Sequence, residues 1–183
     1  MPECNFKMEK VIIRDKQHLV GRIKKSIILY GNNADLNHFD TSRVTDMRGL
    51  FMNSSFNGSI EQWNVSKVQD MSSMFHNAKK FNQPLGQWNV SNVLDMNSMF
   101  RSADSFNQPL DSWDVSGVIF IDEMLTGATS FKQSLLSWKF KRLGMENNFM
   151  NGKSFLDCKC EWEREMLKQE FIASSIVGKS VAL

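Results

Sequence analysis

The most reactive side chains stand near the two ends of the sequence. Cys158 and Cys160 are two residues apart, and Cys4 is the third and last cysteine of the 183 residues. A Cys-x-Cys pair could bind a metal ion or oxidise, which leaves a metal-dependent or redox protein as one alternative. No matching histidine or cysteine cluster stands nearby, however, and three sparse cysteines do not make a disulfide framework. We therefore expect free thiols, no metal and no cofactor.

The histidines offer no catalytic arrangement. His18, His38 and His76 are far apart, and none pairs with a cysteine or carboxylate at the spacing of metal ligands. The sequence also lacks the Gly-x-Ser-x-Gly, His-Glu-x-x-His and phosphate-loop patterns. Without such a constellation of residues, we expect no catalytic residues and no enzymatic activity.

The distribution of charge excludes one class of partner. The chain carries 22 Lys and Arg against 20 Asp and Glu, and its first 30 residues carry seven basic and three acidic residues. A nucleic-acid-binding protein would show a concentrated basic face, so we expect no nucleic-acid partner. No apolar run approaches the roughly 18 residues of a membrane span, and no signal peptide is visible. By sequence alone, a cytoplasmic location is expected.

A repeat of 25 residues dominates the sequence. Its tryptophan column consists of Trp63, Trp88, Trp113 and Trp138. Columns of Val, Met, Phe and Ala follow the same interval, and an earlier copy, one residue shorter, begins at Leu36 with Phe39 in the tryptophan column. The pattern predicts about five tandem units over residues 36–156, of which the last is degenerate.

Each unit divides into two apolar patterns. In LGQWNVSNV (85–93), alternate residues around the tryptophan are apolar, which predicts a short strand with one buried face. In DMSSMFHNAKKF (70–81), the apolar spacing predicts a short helix, and Asp70 and Asp95 stand where a helix N-cap belongs. The predicted buried face of that helix consists of Met71, Met74, Phe75 and Ala78.

Such a unit cannot bury its apolar residues alone, so the units must stack. Stacking predicts an α/β solenoid of right-handed leucine-rich-repeat-like coils, with short parallel strands on one face and short helices on the other. Its open ends require caps. We expect a helical cap in residues 1–35, with Asp15 as N-cap and Gly31 as stop signal. Residues 157–183 are expected to form a C-terminal helical cap and tail, with a helix at about 161–173.

The repeats resemble those of a known family. The segments WNVSKVQDMSSMFHNAKKFNQPL (63–85) and WNVSNVLDMNSMFRSADSFNQPL (88–110) resemble the tandem repeat of the BspA-like leucine-rich-repeat surface proteins of bacteria. The segment YGNNADLNHFDTSRVTDMRGLF (30–51) resembles the start that is common in that family. The resemblance covers about residues 15–156. It implies a leucine-rich-repeat solenoid, a location at the cell surface or outside the cell, and binding of a host protein or another partner; it implies no catalytic residues.

Two sets of polar residues repeat with the units. The first set is Asn57, Asn82 and Asn107. We expect these side chains to form a buried ladder that bonds neighbouring backbones. The second set is Asp40, Asn64, Asn89 and Asp114, each followed two positions later by a serine. By strand alternation the side chains of this second set and of its serines point to the outer face of the sheet. They bond from strand to strand or contact a ligand, and the sequence leaves both alternatives open.

The most favoured function is recognition of a protein or peptide by the outer face of the parallel sheet. Five coils about 4.8 Å apart give a strip of roughly 20 Å, which suits a peptide or a small epitope. The candidate contact residues are His38, Asp40, Arg43, Gln62, Asn64, Lys67, Gln87, Asn89, Asn92, Asp114, Lys139 and Arg142. We expect a monomer. The alternative is a structural or self-associating repeat element without a dedicated ligand.

Overall fold

The computed structural model describes residues 10–135 and 137–140. In this part, strand β1 is Val11–Ile12, helix α1 is Lys16–Tyr30 and strand β2 is Phe39–Asp40. β1 and β2 are parallel, with Val11 opposite Phe39 and Ile12 opposite Asp40. α1 is therefore the connection between two paired strands, and β1 lies beside the first repeat unit.

The prediction of a helix near the N-terminus is confirmed. The Asp15 side chain accepts a hydrogen bond of 2.8 Å from the backbone N–H of His18, and Gly31 ends α1 with a φ of 80°, a conformation that favours glycine. Leu19 and Ile23 are buried in the same hydrophobic cluster as the repeat residues. The inner stripe of α1 is thus part of the core that the repeats share.

Successive units lie side by side and are joined through their backbones. The N–H groups of residues 47, 71 and 96 donate to carbonyls of the next unit at 2.8, 2.9 and 2.7 Å. Parallel bridges at this column connect Asp46 with Asp70, Asp70 with Asp95, and Asp95 with Phe120. The bridged column lies seven positions after the tryptophan column. It is the place where the described units are joined in the manner of a parallel sheet.

The strands predicted around the tryptophans are found only in the first unit, where β2 contains Phe39; they are wrong for the later units of the described chain. The N–H of Trp63 donates to the carbonyl of Ile60, and the N–H of Val68 donates to Val65, so a tight turn lies on each side. In these turns, backbone groups form hydrogen bonds within their own unit, whereas in a strand they would bond to the neighbouring strand. The apolar alternation correctly marks the buried side chains without producing a strand.

The short helices predicted in the repeats are also absent from the described residues. In the second unit, the N–H of Met74 donates to Met71, three residues back, whereas the N–H of Ser73 donates to Asn97 of the next unit. Ser73 and Asn77 have φ values of 54° and 55°. A helix requires negative φ throughout and bonds to the residue four positions back. The segment is therefore a series of turns that shares its hydrogen bonds with the next unit.

Asp70 and Asp95 are not helix caps, because no helix begins there. Their Oδ1 atoms accept hydrogen bonds of 2.9 and 2.8 Å from the backbone N–H groups of Ser72 and Asn97, two residues further on. This is the geometry of an Asx-turn, in which an aspartate side chain takes the place of a backbone turn. The same residue type suits both structures, which explains the misassignment.

The apolar columns predicted as core are confirmed. Met71, Met74, Phe75 and Ala78 are fully buried. The Phe75 ring stacks on Phe51 of the preceding unit and on Phe100 of the next, with centroid distances of 5.5 and 5.3 Å and interplanar angles of 3° and 6°. Each described unit thus buries its rings against its neighbours.

Some predictions fall on residues that the structure does not describe. They are the three cysteines Cys4, Cys158 and Cys160, the contact residue Arg142, the end of the degenerate last unit and the C-terminal helix at 161–173.

Candidate functional site

The predicted contact residues form what we call the outer strip. Most of its described members are exposed, namely Arg43, Gln62, Asn64, Lys67, Gln87, Asn89, Asn92, Asp114 and Lys139. His38 and Asp40 are half-buried, and the His38 ring lies edge-on against Phe39 with centroids 4.5 Å apart. The strip is therefore solvent-facing along most of its length and partly covered at its first unit.

The polar columns of the outer strip bond within their own units. Asn64 Oδ1 accepts hydrogen bonds from the N–H and the Oγ–H of Ser66 at 3.1 and 2.7 Å. Asn89 Oδ1 accepts the same two bonds from Ser91 at 3.2 and 2.7 Å. Asp40 and Asp114 accept N–H bonds of 3.0 Å from the serines two positions later. These contacts are Asx-turns, and they replace the strand-to-strand bonds that the sequence left open.

The Asx-turns leave one end of each asparagine side chain available. An amide group has one acceptor oxygen and two N–H donors on its nitrogen. In Asn64 and Asn89 the oxygen is fixed by the serine, and no residue in the described part of the chain accepts a hydrogen bond from either Nδ2. Two adjacent units therefore present donors whose orientation is set before any ligand arrives.

Asn92, a predicted contact residue, is exposed and also bonds to the preceding unit. Its Nδ2 donates a hydrogen bond of 2.7 Å to the carbonyl of Ser66, so it ties two units together. In the next unit Gly117 occupies this column, and a Cβ there would come within 3.1 Å of the Ser91 carbonyl. This column therefore also holds neighbouring units together, and the role of Asn92 as a contact residue stays a prediction.

The charges of the strip differ between its two ends. At the first unit, hydrogen bonds from Ser42, through its side chain and then its backbone N–H, hold the pKa of Asp40 below its ordinary value. Arg43 and Lys67 are exposed in the neighbouring column. A partner at this end of the strip meets an ionised carboxylate and two cations, whereas the middle of the strip presents neutral amides.

A shallow cavity lies at the other end of the strip. Its volume is about 420 Å³, and its polar lining includes Asp111, Asp114, Ser116, Ser137 and Lys139. Asp114 and Lys139 are among the predicted contact residues, whereas Asp111, Ser116 and Ser137 are not. Ser137 stands in the same repeat column as Gln62 and Gln87, which were selected, so following that column to the end of the repeat would have found it.

The predicted asparagine ladder is confirmed in its hydrogen bonds. Asn57 Oδ1 accepts from the N–H of Asn82 at 2.8 Å, Asn82 Oδ1 from Asn107 at 2.9 Å, and Asn107 Oδ1 from Lys132 at 2.9 Å. These side chains are half-buried, not buried. Since each oxygen is used by the next unit, the ladder belongs to the scaffold.

The described residues contain no group of three or more His, Cys, Asp or Glu that could hold a metal ion. Within the same ranges, no helix is long and apolar enough to cross a membrane.

Units that recur at a constant interval, bond to one another and expose a polar strip define a tandem-repeat protein. A family model described as Mycoplasma protein of unknown function, DUF285, matches residues 23–138 and, in an overlapping match, residues 52–162. The chain belongs to this family. Comparison of the chain with the curated proteins and with the solved structures gives no significant match.

Proposed function

We propose that this protein is a non-catalytic recognition module that binds a protein or peptide along the outer strip. The observation that carries the proposal is the pair of oriented amides, Asn64 and Asn89, whose oxygens are held by their own serines. Amide N–H donors suit the backbone carbonyls of an extended peptide. Orientation before binding favours affinity because less side-chain freedom is lost when the partner docks.

The resemblance of the repeats to BspA-like leucine-rich-repeat surface proteins supports the same proposal. It favours a solenoid architecture, exposure at the cell surface and binding of a partner. The parallel bridges between successive units are compatible with such a solenoid. The cavity beside Asp114 and Lys139 offers a place where an acidic or basic side chain of the partner would pair.

Peptides selected from a random phage-displayed library against the full chain test the proposal. The affinity of each selected peptide is measured by calorimetry for the wild type and for Asn64→Asp/Asn89→Asp. The double variant keeps the oxygens that accept from Ser66 and Ser91 but loses the N–H donors. Loss of two hydrogen bonds of about 1 kcal/mol each predicts roughly tenfold or greater weakening.

The matched control is Asn33→Asp/Asn53→Asp, which makes the same change of charge at two exposed asparagines outside the strip. This control should bind like the wild type. Equal affinity of the wild type and the Asn64/Asn89 variant would reject the strip as the binding surface.

Self-association is the second candidate function, and one observation favours it. Strand β1 pairs with β2 on one side only in the described chain, and its Ile12 is 55% exposed. An open edge strand is a template for pairing with another chain. Sedimentation velocity at rising concentration distinguishes the candidates: growth in mass that Ile12→Lys abolishes supports assembly, and a constant monomer mass supports the recognition module.

A further inference from the structure

The outer end of α1 exposes three consecutive large apolar residues. Ile28, Leu29 and Tyr30 are 82%, 58% and 70% exposed, whereas Leu19 and Ile23 of the same helix are buried. Scattered exposed apolar residues are ordinary, but a contiguous group is typical of an interaction site. The residues are not needed for the core that α1 helps to form, so their exposure requires a different explanation.

The charges around this end of α1 are almost all positive. Lys24 and Lys25 lie four residues before Ile28 and Leu29, so they are neighbours on the same stripes of the helix surface. From residue 20 to residue 33 the chain carries three basic residues, Arg22, Lys24 and Lys25, and no acidic residue; the first carboxylate after the helix is Asp35. Among the described residues, no carboxylate forms an ion pair with Lys24 or Lys25. The positive charges of Lys24 and Lys25 would be complemented by an anionic partner.

The shape of the site favours a fluid partner. Three consecutive helical residues point about 100° apart, so they cover roughly 200° of the helix circumference. A flat or grooved protein surface would contact only part of them, whereas a lipid headgroup region surrounds whatever enters it. Four residues of helix rise by about 6 Å, which places the two lysines at the depth of the phosphates when the tip reaches the acyl boundary. Tyrosine, with an apolar ring and a polar hydroxyl, suits that boundary.

We propose that the C-terminal end of α1 docks on the surface of a membrane that contains acidic lipids. Ile28, Leu29 and Tyr30 enter the headgroup region, and Lys24 and Lys25 contact lipid phosphates. The protein binds to the surface and does not span the bilayer. This docking does not depend on the outer strip, whose residues lie in the repeat units.

Flotation of the full chain with lipid vesicles tests the proposal. One set of vesicles contains phosphatidylcholine alone, and the other contains equal parts of phosphatidylcholine and phosphatidylglycerol. We expect binding to the acidic vesicles that weakens as salt is added. Each basic residue near such a surface contributes about 1 kcal/mol, so Lys24→Glu/Lys25→Glu should weaken binding by tenfold or more. Ile28→Ser/Leu29→Ser/Tyr30→Ser should weaken it to a similar degree.

The matched control is Lys80→Glu/Lys132→Glu, the same change of charge at two exposed lysines of the repeats. It should float like the wild type, and circular dichroism should show that every variant is folded. Absence of binding to acidic vesicles, or equal weakening by the control, overturns the proposal. A wild-type dimer that the Ile28/Leu29/Tyr30 variant converts to a monomer would also overturn it, since a second copy would then be the occupant.

Discussion

The indole Nε1 of Trp113 donates a hydrogen bond of 3.0 Å to the backbone carbonyl of Leu85 in the preceding unit. The same bond joins Trp63 to Leu36, Trp88 to Ile60 and Trp138 to Leu110. Each of these carbonyls also accepts a backbone N–H from its own unit, as the Leu85 carbonyl does from Trp88 at 3.0 Å, so the indole of the next unit supplies its second hydrogen bond. The tryptophan side chains therefore join successive units by hydrogen bonds, as backbone groups do between the strands of a sheet.

Replacing Trp113 with phenylalanine isolates the contribution of the indole bond. Trp113→Phe keeps most of the buried ring and removes the indole bond, whereas the Leu85 carbonyl keeps the backbone N–H of Trp88, so we expect a loss of about 1 kcal/mol in the free energy of unfolding. Urea denaturation measures it. Trp138→Phe should have a smaller effect, because Trp138 is only partly buried and water can replace the bond. A wild-type midpoint for Trp113→Phe would show that the bond adds nothing to stability.

The asparagine ladder permits a comparison at a single position. Asn82→Ala removes the acceptor of the Asn107 N–H and one of the two acceptors of the Gln108 amide, which keeps the Asn82 backbone carbonyl, so we expect a loss of about 1–3 kcal/mol. Asn82→Asp retains an acceptor oxygen and should be the more stable of the two variants at neutral pH. Thermal melts rank them. If alanine and aspartate proved equal to asparagine here, the bonds between units would carry no net stability.

The sequence predicts the core of the repeats better than their backbone. Met71, Met74, Phe75 and Ala78 are spaced as on one face of a helix, and all four are buried. A chain of tight turns can bury residues at the same intervals, however, and the two structures differ in the sign of φ at positions such as Ser73 and Asn77. Apolar periodicity does not contain that information. Glycines at equivalent positions, Gly49 and Gly127, were the available clue, since glycine weakens a helix and suits positive φ.

For the candidate site, the sequence predicted which residues are exposed but not which hydrogen bonds they form. Exposure of the outer strip follows from alternation with buried residues, and the prediction for Asn64 and Asn89 is confirmed on that point. The hydrogen-bond partner of each asparagine was not predicted, although asparagine side chains commonly bond the backbone two residues further on in Asx-turns. The exposed end of α1 was predicted only as part of a helical cap, because the apolar spacing of a helix indicates which residues it buries and not what its exposed apolar residues contact.

Two aspartates of the bridged column should respond to substitution in opposite directions. Burial raises the pKa of Asp95, and the neighbouring charge of Asp70 adds to this effect. Burial also acts to raise the pKa of Asp46, but the hydrogen bond and charge of Lys16 outweigh it and hold the pKa below its ordinary value. Ionisation of Asp95 therefore opposes folding, whereas ionisation of Asp46 favours it.

The pH dependence follows from these signs. The loss of stability at Asp95 develops as the pH rises from the ordinary aspartate pKa of about 3.9 to the raised value, and it is complete at neutral pH. The stability due to Asp46 is present above about pH 3.9 and is lost as the pH falls through its lowered pKa. We expect Asp95→Asn to raise the melting temperature at pH 7, Asp46→Asn to lower it, and both differences to shrink at pH 3. Changes of the same sign at pH 7 would contradict the assignment.

Two substitutions at Ser98 test the turn structure of the repeats against the helix that the sequence suggested. Ser98 has a φ of 55°, and its N–H donates to Asp122 of the next unit. In a helix, valine would be tolerated about as well as serine, and glycine would destabilise by about 0.5 kcal/mol relative to serine. At positive φ the order reverses: glycine is unstrained, and a branched side chain is disfavoured by about 1–2 kcal/mol. We therefore expect Ser98→Gly to be at least as stable as the wild type in urea, and Ser98→Val to be clearly less stable. If the valine variant were more stable than the glycine variant, the result would contradict the turn structure and support the predicted helix.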